Sequence, residues 1–298
     1  MKPKKDELKT GKHILLVHQA FAALNEPGGT RHYEMAQFFI QKGHRVTVIC
    51  SPISYLTGKT ESAQNRWLSR EHPLPGLEIL RAYTYPALHR SFFHRLLSFF
   101  SFMFSSFWIG LGVKNVDVVW GTSPPIFQGL TAWLLARLKG VKFVFEVRDL
   151  WPEVAVELGI IKNRLLIKLA YWFEKRCYRA SSHIIALSPG MKADINERFG
   201  LDNITSVTNS ANISLFGTKI KNPDLKDLLP LRYAIYNGNI GEVNNSEWLF
   251  NAAKLIGEQG RSDLKIVLAG DGQQKAELEK RAIDEGVSNF VLLGPMPK

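Results

Sequence analysis

The chain has 298 residues, 45% hydrophobic and 22% charged, enough for one large or two medium domains with cores of their own. Its two cysteines, Cys50 and Cys177, lie far apart without metal-ligand spacing, which argues against a disulfide framework or a zinc site. Thirty-eight basic against 27 acidic residues give a net charge of +11, which favours an anionic partner such as nucleotide phosphates or an acidic membrane face. Beyond a Lys-rich start (Lys2, Lys4, Lys5, Lys9, Lys12) the positive charge is dispersed, so no nucleic-acid arm is predicted. The polar N-terminus has no apolar signal-peptide core, which predicts a cytoplasmic protein.

Residues 1–12 read as a basic tail. His13-Ile14-Leu15-Leu16-Val17 reads as a first buried strand. The glycine-bearing stretch Pro27-Gly28-Gly29-Thr30-Arg31-His32 follows, then an apolar-periodic helix over 33–42 and a second strand over 45–50. This is a β-loop-α-β unit. Glycines at a helix start let backbone N–H groups approach a phosphate; the alternative is a merely flexible turn. The spacing is not G-x-G-x-x-G, which disfavours a nicotinamide oxidoreductase.

Residues 51–76 are polar and punctuated by Pro and Gly, predicting a surface excursion before a short strand over 77–82. Residues 92–113 form the most apolar segment, and 96–113 carry no charge. Three readings stand: a helix packed inside an α/β layer, which is preferred, a membrane span, or a half-buried helix with Phe and Trp touching lipid. In the third, His89, Arg90, His94 and Arg95 would meet anionic headgroups. A strand over 117–122 and a helix over 126–139 ended by Gly140 lead to Phe143-Val144-Phe145-Glu146-Val147-Arg148-Asp149-Leu150-Trp151-Pro152-Glu153. Here a buried parallel strand turns abruptly charged at its carboxyl end, the edge where open α/β sheets bind ligands. Asp149 reads as a proton acceptor, and equally as a helix N-cap from Leu150 onward or an Arg148 partner. His32 reads as a polar cleft group or a partner within the first helix, and Glu153 as a first-turn helix acid.

An amphipathic helix over 165–179, a strand over 183–187, a helix capped by Ser188 with Pro189 at its first position, and a seventh strand over 204–208 complete the first series. A linker is placed at 217–232, between a first domain over 13–216 and a partial second domain over 233–298. The second α/β series begins at 232 and includes Gly238-Asn239-Ile240-Gly241. A helix over 246–258, a strand over 264–269, the turn Gly270-Asp271-Gly272, a helix over 273–285 and a strand over 290–293 follow. Three strands leave an uncovered sheet edge.

Five collinear pieces resemble the retaining GT-B glycosyltransferases of family 4, especially their bacterial envelope-polysaccharide branch. They are Gly28-Gly29-Thr30-Arg31-His32, the stretch from Glu146 to Glu153, Ser188-Pro189-Gly190-Met191, Gly238-Asn239-Ile240-Gly241 and Leu268-Ala269-Gly270-Asp271-Gly272. The resemblance implies an α/β fold of two Rossmann-like parallel-sheet domains facing a cleft, the second incomplete. It implies a nucleotide-sugar donor, specifically a UDP-sugar, a lipid-linked or glycan acceptor, and no obligatory metal or other cofactor. Gly28 and Gly29 then approach the donor diphosphate and acceptor, and Gly238, Asn239 and Gly241 open the donor domain. Gly270, Asp271 and Gly272 border the base and ribose. Arg148-Asp149 stands where many relatives carry His-Asp, and Arg148, Asp149 and His32 are the candidate catalytic residues.

Two features depart from the family. Glu242 follows the Gly-Asn-Ile-Gly turn where relatives place an Arg, with Lys254 the next cation, and like charge beside a diphosphate disfavours binding. Relatives also continue past the equivalent of Lys298 through a segment with a Glu pair near Gly-Phe-Gly. The leading expectation is a retaining transferase of envelope polysaccharide assembly, peripheral at the inner face of the cell membrane. The alternative is a truncated, inactive homologue acting as a binding partner or not at all.

Overall fold

In the computed structural model, residues 11–24, 26, 28–54, 58, 60, 65–87, 92–157, 159, 161–211, 213 and 232–295 are described. The basic tail over 1–10, Pro27, His89, Arg90, all of the expected linker except Arg232, and the last three residues lie outside them. The chain divides into two units, Met1–Ser210 and Ala211–Lys298.

The first unit is built on eight strands: β1 (His13–Val17), β2 (Arg45–Cys50), β3 (Leu68–Leu74), β4 (Leu77–Ala82), β5 (Val118–Ser123), β6 (Lys142–Val147), β7 (His183–Ala186) and β8 (Ile204–Ser206). They order as β3-β4-β2-β1-β5-β6-β7-β8, with β3–β4 antiparallel and the other pairs parallel. The helices are α1 (Arg31–Gln41), α2 (Phe92–Gly112), α3 (Ile126–Lys139), α4 (Glu153–Glu157), α5 (Arg164–Ala180) and α6 (Pro189–Phe199). Helices lie on both faces, so a central strand such as β1 is buried along its whole length.

Alternation sorts the side chains between the faces. Leu15, Val17, Val119, Phe143, Phe145 and Val147 pack with Phe102, Leu135, Tyr178 and Ile195 of α2, α3, α5 and α6. Ile14, Leu16 and Trp120 point the other way, towards Tyr33 and Ala36 of α1. By the same parity Glu146, Thr122 and His18 lie on the α1 side. Small residues allow the close packing. A Cβ on Gly121 would stand 2.6 Å from Cβ of Ala132 in α3.

Three expectations are corrected. The excursion over 51–76 contains β3, which pairs with β4 across Pro75-Gly76 with Leu74 opposite Leu77. Gly76 takes φ +89°, a value suited to glycine at such a turn. The helix expected from Leu150 onward starts at Glu153. Finally, α2 is not enclosed within the layer. Phe102, Ser105, Ser106 and Ile109 are buried, while Phe93, Leu97, Phe100, Phe104 and Trp108 form an exposed stripe, Phe104 at 59% and Trp108 at 53%. Length and composition would let this helix cross a membrane, yet its inner face packs on the sheet.

The second unit comprises β9 (Arg232–Asn237), a 3-10 turn (Glu242–Asn244), α7 (Ser246–Glu258), β10 (Leu264–Ala269), α8 (Lys275–Asp284) and β11 (Phe290–Gly294). The parallel order is β11-β10-β9. Ile240, Phe250, Leu268, Leu278 and Phe290 form its core. Among the described residues β9 is an edge strand, exposed along most of its length.

Candidate functional site

At the carboxyl edge of the first sheet, a polar layer lies beside the glycine stretch. Gly28 adopts φ +141°, and an added Cβ on Gly29 would meet nothing within 4 Å. The backbone there has room for a close ligand. α1 opens two residues later, and its first two side chains turn back onto the end of β6. Arg31 Nε and Nη2 each reach Glu146 Oε1 at 3.1 Å, and His32 Nε2 lies 2.6 Å from Glu146 Oε2. Arg31 also donates to the carbonyls of Thr208 (3.1 Å) and Val207 (3.3 Å), just past β8. One guanidinium thus ties together α1, β6 and the segment after β8.

The layer continues sideways. The His18 ring lies 4.2 Å from that of His32 and its Nδ1 is 3.0 Å from Thr122 Oγ1. Gln128 Nε2 donates to Thr122 Oγ1 and to the Pro124 carbonyl, and its Oε1 accepts from the Gln19 amide. Arg148 Nε and Nη2 donate to the carbonyls of Ser123 (3.2 Å) and Pro124 (3.0 Å).

Electrostatics assign the charges. Burial pushes Glu146 upward, but the His32 hydrogen bond and the positive charges of Arg31 and Arg148 hold it below the usual carboxylate range. Burial lowers His32 despite its contact with Glu146, and lowers His18 further. The layer therefore holds one carboxylate, two guanidinium groups and two neutral imidazoles at neutral pH, an excess of one positive charge. Neutral His32 donates its Nε2–H to Glu146.

The sequence-derived candidates are placed as follows. His32 is a buried partner of β6 rather than an open polar group. Asp149 is exposed, and α4 starts too late for it to serve as the cap. Glu153 is a first-turn acid, as read from sequence, and lies 3.7 Å from Arg198. Glu146 and Arg31 carry no assigned role in the sequence reading. Their signal is an acid inside a buried strand and an arginine opening the glycine-led helix.

In the second unit the two glycine turns lock together. Gly238 N donates to Ala269 O (3.0 Å), and Ile240 N to Asp271 O (2.9 Å). Gly270 (φ +156°) and Gly272 (φ +159°) lie so close to the carbonyls of Gly238 and Ile240 that a Cβ would collide with them. Gly241 N donates to Ser246 Oγ, Asn239 Nδ2 to Asn244 Oδ1, and Gly272 N to Asp271 Oδ1. Asn239, Asp271 and Glu242 are exposed. Lys254 is engaged 2.7 Å from Glu285. Lys275, unremarked in the sequence, brings its Nζ within 3.6 Å of the Cβ position of Gly294, whose carbonyl accepts from the Gly270 amide. Among the described residues no cluster of three or more His, Cys, Asp or Glu could hold a metal ion.

Residues 28–209 match the family model described as a glycosyl transferase 4-like domain. The chain is 25% identical over 274 residues to WcaI of Escherichia coli (strain K12), described as a colanic acid biosynthesis glycosyl transferase. That match covers 86% of this chain and 65% of the relative's length. Among solved structures, Anabaena HepE in complex with UDP and glucose has a TM-score of 0.59 at 16% identity, covering 96% of this chain and 70% of that one. WaaG, a glycosyltransferase involved in lipopolysaccharide biosynthesis, has a TM-score of 0.56 at 13% identity, covering 95% and 70%. These likenesses show the fold, an α/β arrangement of the GT-B type.

Proposed function

Because the chain belongs to the glycosyl transferase 4-like family, we propose that it serves the transfer of a sugar from a nucleotide-sugar donor, a UDP-sugar, to a growing envelope polysaccharide. The observation that carries this reading is the positively charged layer of Arg31, Arg148, Glu146 and His32 beside the open Gly28-Gly29 backbone. Departure of a nucleoside diphosphate builds negative charge on the leaving phosphates. Fixed N–H groups and cations stabilise that charge, and such stabilisation usually contributes more to the rate than any other effect. Arg148, held by two carbonyls, supplies one fixed cation in the first unit. Within the second unit, the turns at 238–241 and 270–272 are the backbone this reading assigns to donor binding. Asp149 accepts the proton of the acceptor hydroxyl or orients the sugar. Transfer proceeds with retention, without a protein nucleophile or metal. His32 serves as a positioning residue through Glu146.

The acceptor in this reading is lipid-linked, and the chain works at the inner face of the cell membrane. The exposed stripe of α2 supports this, together with Leu165, Leu166, Leu169 and Trp172 of α5. The chain of rings Phe100–Phe127–Phe173–Trp172 joins the two helices. Arg164 and Lys168 are exposed beside the α5 side chains, so the occupant is an anionic bilayer surface. Each such cation contributes about 1 kcal/mol near anionic lipid. Sedimentation with anionic liposomes should show salt-sensitive binding that Phe104→Ser with Trp108→Ser abolishes; equal binding by the variant removes the membrane assignment.

Calorimetry with UDP and UDP-glucose tests the donor. Binding is expected in the range of about 1 μM to 1 mM typical of enzyme substrates, weakened at least about tenfold by Arg148→Gln. No binding of either nucleotide would overturn the reading. A second reading, a donor-binding homologue without turnover, is favoured by exposed Glu242 at the glycine turn and by the engagement of Lys254 with Glu285. UDP binding without sugar-nucleotide consumption would select it.

A further inference from the structure

The opposite end of the first sheet holds a cavity of about 780 Å³ that the proposed transfer does not use. It lies at the amino edge, between the starts of β1 and β2, the β3–β4 hairpin and the residues just after α2. Five residues of β1 separate this edge from the carboxyl edge, about 16 Å at 3.3 Å per residue. It is therefore distinct from the layer around Glu146.

Its charge is strongly one-sided. Arg45, Arg70, Lys114 and exposed His72 line it, against the single carboxylate of Glu78. Glu78 is already bound to Arg70 at 3.2 Å. Among the described residues, neither Arg45 nor Lys114 has a carboxylate within ion-pair distance. Leu68, Leu80 and Ile109 supply an apolar wall. The negative end of α2 is neutralised by Lys139, whose amine donates to the carbonyls of Leu111 (3.1 Å) and Val113 (2.6 Å).

A second observation is independent of the charge count. His13 is buried, and its Nδ1 faces two partners with opposite requirements. The Asn115 carbonyl at 3.0 Å needs an N–H, whereas Arg45 Nη2 at 2.8 Å needs a lone pair. One ring nitrogen cannot satisfy both. An anion that drew Arg45 away would resolve the conflict. Nδ1–H would then donate to Asn115, and Nε2 would accept from Thr47 Oγ1, 2.8 Å away.

We propose that this cavity binds a phosphate-bearing small molecule, with Arg45 and Lys114 as its principal cations. A phosphate monoester carries about −1.5 to −2 at neutral pH, which matches two unneutralised cations. A planar guanidinium suits paired phosphate oxygens and an ammonium acts as a point charge. The volume falls in the range of small-molecule sites, and the apolar wall takes the organic part. The phosphate belongs either to a soluble ester or to a lipid headgroup.

The test titrates the full chain with inorganic pyrophosphate at low salt, with UDP binding measured separately. In parallel, binding to vesicles containing phosphatidic acid is measured. Pyrophosphate should bind, shift the His13 ring nitrogen resonances, and bind at least tenfold more weakly to Arg45→Gln and to Lys114→Gln. Both changes are at exposed positions and should leave the melting temperature unchanged. Vesicle binding lost in both variants, without pyrophosphate binding, assigns the phosphate to a lipid. Equal binding by both variants, or no binding to either probe, overturns the site. Failure of UDP itself to bind would remove the donor reading while leaving the comparison at Arg45 and Lys114 intact.

Discussion

Glu146→Gln keeps the shape of a fully buried side chain and removes its charge, so it isolates what that charge does. The carboxylate accepts from His32 Nε2 at 2.6 Å and from two nitrogens of Arg31 at 3.1 Å. A glutamine can still accept from Arg31, but its amide then turns N–H towards the Nε2–H of neutral His32. Removing one member of a buried ion pair costs about 3–5 kcal/mol. Arg31 is 19% exposed and keeps its bonds to Val207 and Thr208, which places the loss near the lower end, about 3 kcal/mol. With a urea slope of about 3 kcal/mol per M, the midpoint should fall by about 1 M. Tryptophan fluorescence reports the first unit, since of the seven tryptophans only Trp248 lies in the second. Because the folded-state pKa of Glu146 is held below 4.5, its contribution is present above that pH. It is lost as the pH falls through the folded value, so the difference from Gln should shrink on acidification. A cycle with Arg31→Met should show coupling of at least about 1 kcal/mol. A midpoint within about 0.3 M of wild type and additive single effects would refute the assigned pairing.

Three further outcomes can be checked directly. Gly270→Ala places a Cβ against the Gly238 carbonyl at φ +156°, so the two glycine turns should separate and UDP affinity fall at least about tenfold, about 1.4 kcal/mol by calorimetry. Burial raises Glu174 from 4.5 to about 7 despite Arg198. The folded state therefore binds more protons between those values and stability should fall as pH rises through that window; urea midpoints at both ends should show Glu174→Gln flattening the slope. Gly110→Ala puts a Cβ 2.5 Å from Leu135 Cδ1, and thermal melts should show a loss of about 1–3 kcal/mol from overpacking between α2 and α3.

The parallel strands could be read from sequence because burial on both faces leaves them as continuous apolar runs, as in β1 and β6. β3 escaped because Ser-Arg-Glu-His-Pro lies at the sheet edge, where neither apolar alternation nor an unbroken run of donors is required. Its only local mark was Pro75-Gly76. For α2, composition fixed the helix but could not tell the sheet-facing side from the exposed one, since aromatics occupy both. The glycine turns were legible as turns, but their interlocking depends on contacts between residues about thirty positions apart. Glu146 stood in a recognised motif, yet its link to Arg31 and His32 appears only when the parity of β6 is set against the start of α1.

The edge position of β9 gives its backbone a two-residue rhythm of solvent contact. Arg232 N donates to the carbonyl of Asp263, just before β10, and Gly238 N to that of Ala269 at its end, so the even-numbered amides face the sheet, and those of Tyr233, Ile235 and Asn237 face away. Among the described residues those three donors have no neighbouring strand. They should surrender their protons to deuterated water fast while the intervening amides remain slow. An extended peptide laid alongside would find a row of N–H and C=O groups already spaced to receive it.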